Sequence, residues 1–112
     1  MLPSRHRLKK NYQFDYIYRK GRKISGKNLM LVFTEIRGAA LKIGFSVSNK
    51  VGKAVVRNRV RRRLRESVRA YLPRLRRGYH CVFTARPEIT EKDFAGISEE
   101  IGFLFRKAEL LI

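Results

Sequence analysis

The chain has 112 residues, 44% of them hydrophobic, and carries 27 Lys or Arg against nine Asp or Glu for a net charge of +18. That length predicts one small domain and the apolar fraction excludes global disorder, while the charge destabilises a compact state unless an anionic partner relieves it. Nucleic acid is the commonest such partner, with an anionic membrane surface as the alternative.

The first ten residues are basic with little periodicity and predict a flexible or lightly docked arm. They hold no apolar stretch of the kind a secretory signal needs. "NYQFDYIYRKG" predicts a short helix with Asn11 as N-cap and Gly21 as C′ residue, on which Phe14, Ile17 and Tyr18 share one face. A further short strand is expected near residues 22–26. "KNLMLVFTEI" is rich in strand formers, and its Leu29–Phe33 core is too short to span a bilayer. After a turn at Gly38, "LKIGFSVSNK" alternates. Leu41, Ile43, Phe45 and Val47 fall on one face, and Lys42, Gly44, Ser46 and Ser48 on the other, which describes a half-buried strand with a small polar open face.

The stretch "GKAVVRNRVRRRLRE", Gly52 to Glu66, holds the densest charge, with seven basic residues among the thirteen from Lys53 to Arg65. At helical spacing Val56, Val60, Leu64, Ser67 and Tyr71 form one stripe, with Asn58, Arg62, Arg65 and Arg69 opposite. A solvated tail has no reason to keep such a stripe, so the arginines are read as a rigid surface that ends near Tyr71, ahead of Pro73. "YHCVFTAR" predicts another strand. "ITEKDF" predicts a helix start capped by Thr90, with Asp93 completing a capping box and Ile89 stapled to Phe94. Phe94, Ile97, Ile101, Leu104, Phe105 and Ala108 continue as an apolar stripe. The result is a single α+β sandwich of one sheet with helices against it.

Charge is also divided along the chain. Residues 1–86 carry a net +21 and residues 87–112 a net −3, so the last quarter is not expected to face a polyanion. Cys81 is the single cysteine, which excludes an intrachain disulfide and fits a reducing compartment. A cytoplasmic location follows as the default expectation.

Catalytic residues are scarce. His6 and His80 have no partners at metal-ligand spacing. Cys81 and His80 are neighbours in a strand and so point to opposite faces, which predicts a core thiol and an outward imidazole rather than a nucleophile–base pair. No metal ion and no small-molecule cofactor is expected on the protein. The arginines, with planar forks that grip phosphate bidentately, point to nucleic acid. Asn58 among them either orders a neighbouring arginine or reads a base or ribose edge. Phe14 and Tyr18 either stack on unpaired bases, worth roughly 1–3 kcal/mol per base, or belong to the core. Lys42, Ser46 and Lys50 suit the same surface. The arginine helix lacks the large aromatics of a membrane-surface helix, so no membrane partner is expected. Composition and spacing do not choose RNA over DNA.

The run Ile43 to Glu66, with "RNRVRRRLRE" at its core and "GKAV" before it, resembles the signature of the bacterial ribonuclease P protein component. "RLKKNYQF" with Tyr18 and Gly21, the strand "HCVFTAR" and the closing "LFRKAEL" extend the resemblance over nearly the whole chain. It implies an α-β-β-β-α-β-α fold like the second domain of ribosomal protein S5, with a left-handed βαβ crossover. It also implies an RNA-binding subunit of an endoribonuclease that removes the 5′ leader of precursor tRNA. In that enzyme the catalytic centre and its Mg²⁺ belong to the RNA. By the same resemblance, Lys53, Arg57, Asn58, Arg59, Arg61, Arg62 and Arg65 contact the catalytic RNA. Phe14, Tyr18, Val32, Lys42, Ser46 and Lys50 line a cleft for the single-stranded leader, with Val32 where other members carry an aromatic. A ribosomal or other structural RNA-binding protein is the alternative reading.

Overall fold

The computed structural model describes residues 2–112. Helix α1 spans Asn11–Lys20, strand β1 Arg22–Ser25, β2 Leu29–Glu35, β3 Leu41–Ser46, helix α2 Ala54–Tyr71, β4 Tyr79–Ala85 and α3 Phe94–Lys107. The strands form one sheet in the order β1-β2-β4-β3. β2 pairs antiparallel with β1 and β4, while β3 and β4 run parallel with α2 as their connection. The element order and the α+β class are those the sequence predicts, and the short strand near residue 22 is present.

Period-two alternation divides the sheet into two faces. On one, Leu29, Leu31, Phe33, Leu41, Ile43, Cys81 and Phe83 are buried against Val60, Leu64 and Val68 of α2 and Ile97, Ile101, Leu104 and Phe105 of α3. Phe83 and Phe105 meet edge to face, 5.3 Å between centroids, a favoured geometry for aromatic pairs. The valine–leucine stripe of α2 is thus core, and its arginines are held on a fixed backbone. On the second face a smaller cluster of Leu8, Ile17, Val32 and Val82 lies under α1, flanked by Phe14, Tyr18 and Met30.

Three local expectations are corrected. Lys10, not Asn11, is the N-cap of α1 and offers no side-chain bond, because the helix already begins at Asn11. Asp93, not Thr90, caps α3, its Oδ1 accepting from the Gly96 N–H at 2.8 Å. Pro87 starts a short 3₁₀ turn through Glu91, and the Thr90 hydroxyl donates back to the Pro87 carbonyl, so it is spent before the α-helix begins. Phe94, 47% exposed, is the first helical residue after the Asp93 cap and Ile89 lies four residues before that cap, so neither holds a position of a hydrophobic staple.

The N-terminal residues, expected as a flexible or lightly docked arm, lie against β3. Leu2 and Leu8 are buried, and Arg7 forms a parallel bridge with Ile43. The His6 Nδ1–H donates to the Leu41 carbonyl at 2.8 Å and the Leu8 N–H to the Ile43 carbonyl at 3.1 Å.

Candidate nucleic-acid interface

Gly52 sets the entry to α2. Its φ of +153° lies where L side chains rarely sit, and an added Cβ would stand 3.1 Å from the Val56 Cβ. From this start the helix turns its basic residues along two edges. Arg57 folds back, its Nε–H donating to the Gly52 carbonyl at 3.2 Å. Arg61 donates from Nη1 to Asn58 Oδ1 at 3.1 Å and from Nη2 to the Val47 carbonyl at 3.4 Å. Of the two roles open to Asn58, the ordering one is present: its amide oxygen fixes Arg61. Asn58, Arg59 and Arg62 form the outer edge, and with Val55, 74% exposed, they line a shallow concavity. Lys53 at the helix N-cap and Lys50 in the preceding turn are exposed. Arg63 faces elsewhere, donating to the Lys92 carbonyl at 3.3 Å.

The inner edge faces β3. There Arg61 and Arg65 meet Arg7 around a cavity of about 90 Å³ whose other walls are Leu8, Phe14, Ile43, Gly44 and Phe45. No acidic residue lines it. Burial first, then the positive fields of Arg7 and Arg61, hold the Arg65 pKa below its ordinary value. The Nε atoms of Arg7 and Arg65 are buried without a hydrogen-bond partner. A guanidinium stays charged at any ordinary pH, so converging guanidinium groups with unpaired donors are costly until an anion fills the space between them. Arg7 was not singled out in sequence, where it reads as one more charge in a basic arm. Its signal was slight: a leucine and a histidine on either side, buried alternately with it against a strand edge.

Phe14 packs over Gly44 so closely that an added Cβ there would lie 2.5 Å from the ring Cζ. Tyr18 reaches further along the sheet, its hydroxyl 3.0 Å from Thr84 Oγ1. Thr84 pairs with Ser46, so Phe14, Tyr18 and Ser46 share one flank of α1. Both aromatics are half-buried, part core and part wall. Two expected cleft residues sit elsewhere. Val32 is fully buried beneath α1 against Ile17 and Val82, so no strand can touch it. Phe33 next to it points into the main core, as its register requires. Lys42 lies four residues from Ser46 on the same face, beyond the Phe14-covered Gly44, and lines a separate basic concavity with Arg7, Lys9 and Lys10.

His80 and Cys81 do face opposite ways. Cys81 is fully buried in the main core, and burial pushes its thiol up to about 12. Burial and then Lys42 lower the His80 pKa. Among the described residues no three His, Cys, Asp or Glu side chains gather as a metal site, and no helix is long and apolar enough to cross a membrane.

Comparison with known proteins agrees with this architecture. The family model described as Ribonuclease P matches residues 2–109. A Ribonuclease P protein component from Chloroflexus aurantiacus is 44% identical over 95% of this chain and 79% of its own length. One from Symbiobacterium thermophilum is 38% identical over 95% and 93%. The solved Staphylococcus aureus RNase P protein superposes with a TM-score of 0.88 over 96% of this chain and 98% of its own, at 24% identity, which shows a common fold.

Proposed function

Because this chain belongs to the ribonuclease P protein family, we propose that it is the RNA-binding subunit of a cytoplasmic ribonuclease P that removes the 5′ leader from precursor tRNA. The observation that carries this reading is the Arg7–Arg61–Arg65 cavity beside Phe14, where unpaired guanidinium donors adjoin an aromatic wall. Phosphate suits the first and an unpaired base the second. The outer edge of α2, with Lys53, Asn58, Arg59 and Arg62, binds the catalytic RNA, and Arg57 supports the start of that helix. The flank of Phe14, Tyr18 and Ser46, with Lys50 at its approach, holds the leader. The cavities along α1 and α2 are lined by cations and by no carboxylate. On this reading the Mg²⁺ that supports hydrolysis is held by the RNA. The protein's part is to hold and orient RNA and, by screening phosphate repulsion, to reduce the Mg²⁺ the complex needs.

A reconstituted complex of this protein with its catalytic RNA should bind leader-bearing tRNA at least about 5-fold more tightly than leaderless tRNA, the equivalent of one base stack. Equal affinities in a filter-binding comparison would favour a structural RNA-binding protein and overturn the leader assignment.

A further inference from the structure

A second aromatic surface lies on the opposite flank of α1 from Tyr18, and the leader cleft does not account for it. Tyr12 and Tyr16 are 69% and 48% exposed and follow at i and i+4, with Arg19 one turn on. They belong to neither hydrophobic cluster. Together with Gln13, Ile36 and His80 they line a groove of about 410 Å³, within the range of ligand-sized sites and open to solvent. No carboxylate lines it. Exposed tyrosines beside an arginine form the sort of platform on which successive bases stack without regard to sequence.

The groove is continuous with the proposed leader site. Arg7 borders both the arginine cavity beside Phe14 and the basic concavity that holds Lys9, Lys10 and Lys42. Tyr12 and Gln13 border both that concavity and the tyrosine groove. A backbone leaving the Phe14 wall therefore meets Arg7, then lysines, then the tyrosines, around the N-terminal end of α1. This sequence of phosphate-binding cations followed by ring faces matches the alternation of phosphate and base in a single strand. We propose that the Tyr12–Tyr16–Arg19 groove is a second stacking site for single-stranded RNA, which takes the distal nucleotides of a long 5′ leader. This rests on the leader reading above.

The test uses the reconstituted complex with three substrates: leaderless tRNA, a precursor with a leader of about three nucleotides, and one of about ten, lengths that bracket the lower bound of roughly four nucleotides for single-strand sites. Tyr16→Ala should weaken the long-leader precursor about 5- to 150-fold, the loss of one stack. The other two substrates should bind as they do to the unaltered complex, which also reports that the variant is folded. Tyr16→Phe, which keeps the ring, should restore most of the long-leader affinity. Unchanged long-leader affinity in Tyr16→Ala would overturn the proposal. An equal loss with all three substrates would also overturn it, because the groove would then touch the catalytic RNA or the tRNA body. Failure of the leader reading itself shows separately, as equal affinity of the unaltered complex for leaderless and leader-bearing forms.

Discussion

Helices α2 and α3 pack side by side on the same sheet face, and each carries an apolar stripe of similar quality, yet they treat their charges in opposite ways. On α3 the Glu100 carboxylate accepts from the Asn28 N–H, the Asn28 side-chain amide and the Leu29 N–H, at 2.7–2.9 Å. It ties the β1–β2 turn to the helix, so its charge is consumed inside the fold. On α2 Arg57, Arg61 and Arg63 bond to carbonyls, Arg61 also to Asn58, and the buried Nε of Arg65 has no partner, while Glu66 lies in the fields of Arg69 and Arg62. Charge satisfied internally serves stability, whereas charge left unsatisfied on a rigid element serves a partner and weakens the free protein.

Substitutions can break this contrast. The largest expected effect is on α3: Glu100→Ala leaves three donors without their acceptor at a partly buried site and should cost about 2–4 kcal/mol in denaturant unfolding, with little direct effect on RNA affinity once folded. A loss below about 0.5 kcal/mol would mean that water replaces the carboxylate. Arg62→Ala should do the reverse. Stability should stay within about 0.5 kcal/mol, while the salt dependence of RNA binding flattens by roughly one unit per lost phosphate contact. An unchanged slope would remove Arg62 from the interface. Arg65→Ala should combine both signs, because it takes one cation from the Arg7–Arg61–Arg65 cavity. RNA binding weakens, but the Tm of the free protein at low salt rises, and the gain shrinks as salt screens the remaining pair. A lower Tm at low salt would show that packing of the Arg65 stem outweighs repulsion.

The smallest effect sharpens the comparison from inside α2. Ser67 is fully buried and its hydroxyl has no hydrogen-bond partner. Ser67→Ala should stabilise the protein by about 1 kcal/mol without altering RNA binding. Destabilisation would reveal a bonded water at that site. This buried, unpaired hydroxyl sits on the helix that also carries the partnerless Nε of Arg65.

Much of this was legible from local pattern. The stripe Val56, Val60, Leu64 placed α2 against a core, and the alternation through β3 assigned Leu41 and Ile43 to one face and Lys42 and Ser46 to the other. The opposed directions of His80 and Cys81 followed from the same period. Pattern failed where two local solutions compete, as at Thr90 and Asp93, both good caps three residues apart. There Pro87 decided the outcome by imposing a 3₁₀ turn first. It failed again at Val32, whose face was correctly assigned but whose cover was not, since the path of α1 across the sheet is not written in the strand.

The sequence alone determined that a basic helix is anchored to a core, that 24 of the 27 cations lie in residues 1–86, and that the strands and helices come in this order. Those properties depend on neighbours a few residues apart, where helical and extended periods dominate. Only the tertiary structure decided that Arg7 joins Arg61 and Arg65 around one cavity, that Phe14 closes over Gly44, and that Asn58 holds Arg61 rather than facing outward alone. The first two of these link residues distant along the chain through the pairing of Arg7 with Ile43 and the register of β3 on β4. Asn58 and Arg61 are neighbours in sequence, but Arg61 takes its place only once the Val47 carbonyl is fixed at the end of β3.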